Sequence, residues 1–200
     1  MWKWANSQQP RRLVIQEQGE HAIKFIDTEA DEAVLVHAPD SLNVSMTILK
    51  EHAARPVPER VETITRDQSH HFVKGTGLTT RDVWHFVTRH DCAVLRVGLT
   101  IHRRIFSSTP HEFEMSSEPG FEEVFYFLLP NGGKAVLEGE GMWPNGDPVD
   151  AAWPVRHRQL AQVPIGWHRV VAMADEDSCP RVAYVWAYLA IHPEWEKGDD

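Results

Sequence analysis

The chain of 200 residues consists largely of short runs in which β-branched and aromatic residues alternate with polar ones. Most runs end at glycine, proline, asparagine or aspartate, as at PNGG in 130–133 and PNGD in 144–147. Because successive residues of a strand face opposite sides of a sheet, this period of two predicts an all-β protein. The predicted strands cover residues 32–38, 43–51, 60–67, 93–102, 122–129, 134–141, 156–164, 168–174 and 181–192.

Residues 81–90, RDVWHFVTRH, form the one segment whose apolar spacing also fits a helix. Its apolar side chains suit a strand equally well, so the pattern leaves this segment open. Elsewhere, many short strands with few plausible helices favour a closed or two-sheet architecture, which leaves few strand edges exposed. A sandwich or a jelly-roll barrel is the predicted fold.

Composition and charge narrow the range of functions. The formal charge is -9 and no basic stripe offsets it, which disfavours nucleic acid and anionic membranes as partners. The amino-terminal residues lack the apolar segment of a signal peptide, and no later run is long enough to cross a bilayer. Cys92 and Cys179 are too few for a disulfide framework or a thiolate metal cluster. We therefore expect a cytoplasmic protein.

Candidate chemistry lies in PHEFEMSSEPGFEEVFYF, residues 110–127, and in PIGWHRVVA, residues 164–172. Strand parity places Glu123 on the same face as the two phenylalanines of EEVFYF. The same rule places His168, which begins a strand after a Pro-Gly turn, on the face of alternate apolar residues of WHRVVA. If His111 also faces inward, these three side chains converge on one apolar cavity.

Two imidazoles and one carboxylate in such a cavity are ligands that a divalent transition metal accepts, with Zn, Mn, Fe and Ni as candidates. A metal of this kind polarises a bound oxygen as a Lewis acid. The opposite interpretation is that each histidine is a structural or surface residue and that Glu123 merely begins a strand. Spacing by itself leaves both interpretations open.

The order of these residues resembles the two conserved motifs of the cupin superfamily, a double-stranded β-helix whose metal ligands come from the same places. Longer stretches resemble the 5-deoxy-glucuronate isomerases of inositol catabolism, relatives of the 4-deoxy-5-keto-uronate isomerases of pectin breakdown. The resemblance covers about the last two thirds of the chain. Its stretches are VKGTGLTTRDVWHFV (73–87), VLRVGLTIHRRIFSSTPHEFE (94–114), EEVFYFLLP, VPIGWHRVVA and YLAIHPEW.

The resemblance implies a bicupin, with residues 1–90 as a shortened amino-terminal half and residues 91–200 as the barrel that holds the metal. It also implies that His111, Glu123 and His168 are the metal ligands. The sequence departs from the family at Phe113, where the family has a second histidine. This departure leaves two outcomes open: the three remaining residues form a facial set of ligands with additional open positions, or the metal is weakly held or lost.

The resemblance further implies an isomerase that interconverts the aldose and ketose forms of a sugar acid. Such a reaction needs a general base with a pKa near neutrality, for which histidine is suited. It also needs an arginine that anchors the substrate carboxylate. For any single histidine or arginine, a solvated surface position is the more common state. The candidate bases are His102 and His157, and the candidate anchors are Arg81, Arg104 and Arg156, with Arg158 as a further possibility.

Two alternatives remain at this point. One is a cupin module that binds a small ligand without metal or catalysis. The other is an oxygenase, since two histidines and one carboxylate leave positions at which iron binds O₂. Exposed strand edges and apolar tryptophan positions also predict a homo-oligomer, most simply a dimer.

Overall fold

The computed structural model describes residues 11–50, 59–103, 116–118, 123–129, 133–142, 146–163, 167–173 and 182–195. Within these ranges the chain is all-β, with two single 3-10 turns at Arg66–Gln68 and Gly77–Thr79. No helix there has the length and apolarity that a membrane crossing requires. The strands are β1 (Leu13–Glu17), β2 (Ala22–Asp27), β3 (Glu32–His37), β4 (Ser45–Lys50), β5 (Glu59–Thr65), β6 (His70–Lys74), β7 (Arg81–Val87), β8 (Leu95–His102), β9 (Glu123–Leu128), β10 (Lys134–Met142), β11 (Pro148–Val155), β12 (Leu160–Val163), β13 (Trp167–Met173) and β14 (Ala183–Leu189).

The strands form three antiparallel sheets. The first is a meander in the order β1-β2-β3-β4-β5, the second has the order β12-β9-β14-β8-β7-β6, and the third has the order β11-β10-β13. The second sheet contributes to two separate hydrophobic cores. One core lies between it and the five-stranded sheet, and the other lies between it and the three-stranded sheet. It is therefore the middle layer, and β8, β9 and β14 are buried along their whole length.

Strand β14 shows how one sequence serves both cores. Its odd-numbered residues, the small and aliphatic Ala183, Val185, Ala187 and Leu189, belong to the first core. Its even-numbered residues Tyr184, Trp186 and Tyr188 belong to the second core. The alternation in AYVWAYL thus separates aliphatic from aromatic side chains rather than apolar from polar ones, as expected of a strand buried on both faces.

Most predicted strands are confirmed to within a few residues, and the open segment 81–90 contains strand β7 rather than a helix. Four strands, β1, β2, β6 and β11, are absent from the predicted set. Strand β11 contains two prolines and two alanines, residues that are depleted in strands, so its composition does not indicate a strand. Proline is tolerated there because β11 is an edge strand, paired only with β10.

The predicted strand 156–164 is wrong in its first half. The chain turns at His157 and Arg158 and begins β12 only at Leu160. The backbone amide of Arg156 donates to the Gln159 side chain at 2.8 Å, and Arg158 has a positive φ of 59°. These local features close a turn where the pattern of alternation predicted extended chain.

A boundary between two domains is predicted at residue 90, but the chain passes from the first sheet to the second at an earlier position. The five-stranded sheet ends with Thr65, and β6 and β7 pair onward into the six-stranded sheet through β8. Two buried carboxylates connect the layers across this division: Glu32 accepts from the Ala93 amide at 2.9 Å, and Glu118 accepts from the Leu13 amide at 2.9 Å.

Gly98, in the middle of β8, is required by the packing of Trp186. A Cβ at this position would lie 2.1 Å from Trp186 Cζ2 and 2.5 Å from the Trp84 carbonyl oxygen. We expect Gly98→Ala to lower the free energy of unfolding by about 3 kcal/mol, the upper range for overpacking a core. Urea denaturation measures this loss.

A milder glycine substitution provides the comparison. At Gly139 a Cβ would meet Trp153 Cζ3 at 3.0 Å, and Trp153 is only partly buried, so its ring has room to shift. Gly139→Ala should therefore cost less than Gly98→Ala. Equal losses for the two variants would contradict the assignment of Gly98 to this close contact.

Candidate functional site

Glu123 and His168 meet inside the second core. Glu123 is the first residue of β9, and His168 is the second residue of β13, where it pairs with Gly139 of β10. Their side chains are fully buried, and His168 Nε2 lies 3.3 Å from Glu123 Oε2. The two residues come from opposite sheets, so only the tertiary fold brings them together.

Both side chains face the direction that strand parity predicts. Phe125 and Phe127 lie with Glu123 on the side of β9 that faces the second core, and Val170 and Ala172 do so on β13. The surroundings of the pair are therefore apolar. A carboxylate in such a place is expected to be paired or to hold a cation, because an isolated buried charge is costly.

The separation of the pair is compatible with two ligands of one ion. A charge-assisted hydrogen bond between these groups is usually about 2.7–2.9 Å long, which is shorter than the observed 3.3 Å. Two donors that each lie about 2.1 Å from one metal ion at roughly a right angle are about 3 Å apart. His111, the third predicted ligand, and Phe113 lie outside the described residues. Among the described ones, no group of three His, Cys, Asp or Glu side chains is placed to hold a metal.

An aromatic row continues from the pair along the interior. The Phe125 ring meets the His168 ring edge to face at 5.9 Å between centroids and the Tyr184 ring at 5.2 Å. Tyr184 also packs on Phe127 at 5.8 Å. The row is buried throughout and excludes water from the side of His168 that faces Phe125.

His102, a predicted base, lies at the other end of this row. It is the last residue of β8, it is 1% exposed, and its Nε2 is 3.4 Å from Tyr184 Oη. Ala183 pairs with both Ile101 and Leu128, so His102 is level with the last residues of β9. Since Glu123 is the first residue of β9, His102 is not brought to the Glu123–His168 pair.

Tyr184 is a residue that the sequence reasoning missed. The signal was present in RVAYVWAYLA, where Tyr184, Trp186 and Tyr188 recur with a period of two. All three rings lie in the second core, and the Trp186 indole donates to Thr100 Oγ1 at 3.2 Å. Aromatic side chains that carry a hydroxyl or an N–H group at their tips, alternating with aliphatic residues along one strand, are the pattern that would have indicated this interior face.

His157, the other predicted base, is exposed in the turn before β12. Its Nδ1 accepts the backbone amide of Leu129 at 3.0 Å, at the end of β9 opposite to Glu123. This contact requires an unprotonated Nδ1. Partial desolvation of its ring lowers the pKa of His157, and the charges of Arg158 and His21 lower it further.

The depressed pKa predicts an acid sensitivity of folding. Between the folded pKa and the ordinary value of about 6.5, the unfolded chain binds more protons at His157 than the folded chain does. The contribution of His157 to stability is therefore present above pH 6.5 and is lost as the pH falls. We expect His157→Gln to reduce the loss of stability between pH 7.5 and pH 5.5, as measured by urea midpoints. His90→Gln, in another exposed turn, is the control, and an unchanged pH dependence in His157→Gln would contradict this prediction.

The described arginines that were predicted to bind the substrate carboxylate lie in separate parts of the fold. Arg81 is half-buried and pairs with His102 across β7 and β8. Arg156 is exposed, and Arg158 binds Glu20 at 2.7 Å and His21 Nδ1 at 2.6 Å on the first sheet. Arg104 lies outside the described residues. Only Arg81 stands beside an interior residue of the second core.

Comparisons with known proteins indicate the fold. The structure is similar to an IolB-like protein from Salmonella typhimurium LT2, with 18% identity, a TM-score of 0.54, and coverage of 88% of this chain and 64% of that chain. The chain thus spans slightly less than two thirds of that protein. At this identity the likeness shows a related fold only.

Two further structures have lower scores. A Streptomyces PAC13 variant with uridine has 12% identity and a TM-score of 0.37, and the match covers 65% of this chain and 82% of that chain. AerE from Microcystis aeruginosa has 9% identity and a TM-score of 0.39, and the match covers 90% of this chain and 97% of that chain. No family model matches the sequence, and no curated protein matches it.

Proposed function

We propose that the protein is a cupin-type isomerase of a sugar acid, similar to the 5-deoxy-glucuronate isomerases, and that it uses a divalent metal. The buried Glu123–His168 pair is the observation that carries the proposal, since it brings a carboxylate and an imidazole together in an apolar interior. The fold likeness to an IolB-like protein supports the same assignment. So do the sequence stretches that resemble this isomerase family.

In the proposed site Glu123 and His168 would hold the metal, with His111 as a third ligand. The metal, when bound, would supply Lewis-acid polarisation of the substrate carbonyl. Phe125 covers His168 on one side and keeps the reacting end of the interior dry. Strands β9 and β13 fix both ligands on rigid backbone, which limits the reorganisation required at the site.

Aldose–ketose interconversion moves a proton from the carbon beside the carbonyl to the neighbouring carbon, and it is detected in D₂O as deuterium incorporation. The test is to purify the protein without added metal, to measure its metal content by mass spectrometry, and to follow 5-deoxy-glucuronate by NMR in D₂O. We expect near-stoichiometric transition metal, conversion to the ketose, and one deuterium in the product. Metal-free protein without conversion would overturn the proposal.

The same preparation distinguishes the two alternatives. Consumption of O₂ during turnover would assign the protein to the oxygenases. Binding of the sugar acid without metal, conversion or deuterium incorporation would assign it to the non-catalytic binding modules.

A further inference from the structure

The His102–Tyr184 pair is a second polar pair inside the same core. His102 and Tyr184 are 1% and 4% exposed, and the two groups approach to 3.4 Å. Among the described residues, Phe127 of β9 and Leu129, which follows that strand, are apolar residues of the same core. A few polar groups on an otherwise aromatic and apolar interior face are typical of sites that bind small ligands.

A cationic residue neighbours this pair in the sheet, and its partly buried guanidinium donates to the Thr79 carbonyl at 3.3 Å. Arg81 is the Cα partner of His102 across β7 and β8. Directly opposite residues in an antiparallel pair project to the same face, with Cβ atoms about 4.5–5.5 Å apart. Val83, two residues on from Arg81, lies in the second core, which places Arg81 on the inward side of β7. A guanidinium, a phenol and an imidazole are hydrogen-bond donors of the kind that bind a carboxylate.

The Glu123–His168 and His102–Tyr184 pairs lie within the reach of one small ligand. Centroid distances of 5.9 Å and 5.2 Å through Phe125 place the His168 and Tyr184 rings at most about 11 Å apart. An extended six-carbon acid spans about 6 Å between its terminal carbons, and contact distances at both ends add about 5 Å. The separation of the two rings therefore does not exceed the reach of a six-carbon chain with a carbonyl at one end and a carboxylate at the other.

From this geometry we infer that His102 and Tyr184, with Arg81 beside them, form the subsite for the carboxylate of an open-chain sugar acid. The carbonyl end of that substrate reaches Glu123 and His168. This inference rests on the proposed function, because it assumes that the acid is the substrate of the same interior. It gives His102 a recognition role at the carboxylate end in place of the proton transfer predicted from sequence.

Tyr184→Phe tests the subsite with little disturbance, because it removes one hydroxyl and keeps the ring that packs on Phe125 and Phe127. Tyr188→Phe is the matched control, since Tyr188 lies on the same face of β14 and packs on Trp186 instead. His102→Gln is the second test variant. Calorimetric titration with D-glucuronate and with uncharged D-glucose measures recognition of the carboxylate in the protein as purified.

We expect the wild-type protein to bind glucuronate at least tenfold more tightly than glucose. Tyr184→Phe should weaken glucuronate binding roughly tenfold to a hundredfold, the effect of one hydrogen bond to a charged group, and leave glucose binding unchanged. Tyr188→Phe should behave like the wild type. Equal wild-type affinity for the two sugars, or equal glucuronate affinity in Tyr184→Phe and the wild type, overturns the inference.

The wild-type comparison does not depend on any variant being folded. Failure of the subsite is also distinguishable from failure of the proposed function. Conversion of 5-deoxy-glucuronate together with unaltered glucuronate binding in Tyr184→Phe refutes the subsite alone. Selective, Tyr184-dependent binding of glucuronate without conversion refutes the isomerase and leaves the carboxylate subsite in place.

Discussion

Replacing His168 by alanine is expected to remove bound metal and to abolish isomerisation. The substitution deletes one of two donors that meet in the interior, and it leaves Glu123 buried without the imidazole that faces it. Loss of a partner outside the ligand shell typically lowers metal affinity or activity roughly ten- to a hundredfold, so loss of a ligand should cost at least a hundredfold. Metal content per chain and kcat/KM for 5-deoxy-glucuronate are the two measurements.

The control for this substitution is His90→Ala, an exposed histidine in the turn after β7, which should retain both metal and activity. His168→Ala should also unfold more readily, because a buried carboxylate that loses its partner destabilises a protein by about 3–5 kcal/mol. Its metal content is therefore measured under conditions where circular dichroism shows a folded chain. Full metal content in folded His168→Ala would contradict the assignment of His168 as a ligand.

Replacing Arg96 by methionine is expected to produce one of the largest losses of stability in the molecule. Arg96 is fully buried, and its guanidinium donates to backbone carbonyls of two chain segments. One segment, residues 92–95, leads into β8 and the other follows β14, so the side chain holds residues 193–195 against the six-stranded sheet. The accepting carbonyls are those of Cys92, Ala93, Leu95, Pro193 and Trp195.

Methionine has a similar length but provides no donor, so Arg96→Met leaves several carbonyls unsatisfied. Each such group costs about 1–3 kcal/mol when it stays buried, and partial exposure of the carboxy-terminal segment limits the total. We expect a loss of about 3–5 kcal/mol in the free energy of unfolding, measured by urea denaturation. Trp195 packs on Tyr188 at 5.5 Å, and its contribution to the fluorescence of the eight tryptophans is obtained by comparison with Trp195→Phe. That contribution should change when the segment is released.

A surface arginine that contacts the same carboxy-terminal segment provides the control. Arg89 donates to the Glu194 carbonyl at 2.6 Å from an exposed position. Water replaces such a contact, so Arg89→Met should change stability by less than about 1 kcal/mol. Similar losses for the two variants would show that burial of Arg96 does not determine its contribution.

The amino-acid sequence by itself determined the all-β class, most strand positions and the faces of Glu123 and His168. All of these depend on the alternation of side chains along a single strand, which is a local property of extended backbone. The same alternation in AYVWAYL encodes the aromatic stripe of β14, although the buried Tyr184 was recognised only in the folded chain.

Only the tertiary structure decided which residues meet. Alternation carries no information on strand order or register. The approach of Glu123 to His168 depends on the packing of two sheets, and the placement of His102 near Tyr184 depends on the pairing of β8 with β14. The turn at His157 depends on a side-chain contact of Gln159 that overrides the strand pattern. Arg96 is a polar residue within a strand pattern, and its burial becomes possible because the adjacent residues 92–95 and the distant residues 193–195 both present carbonyls to it.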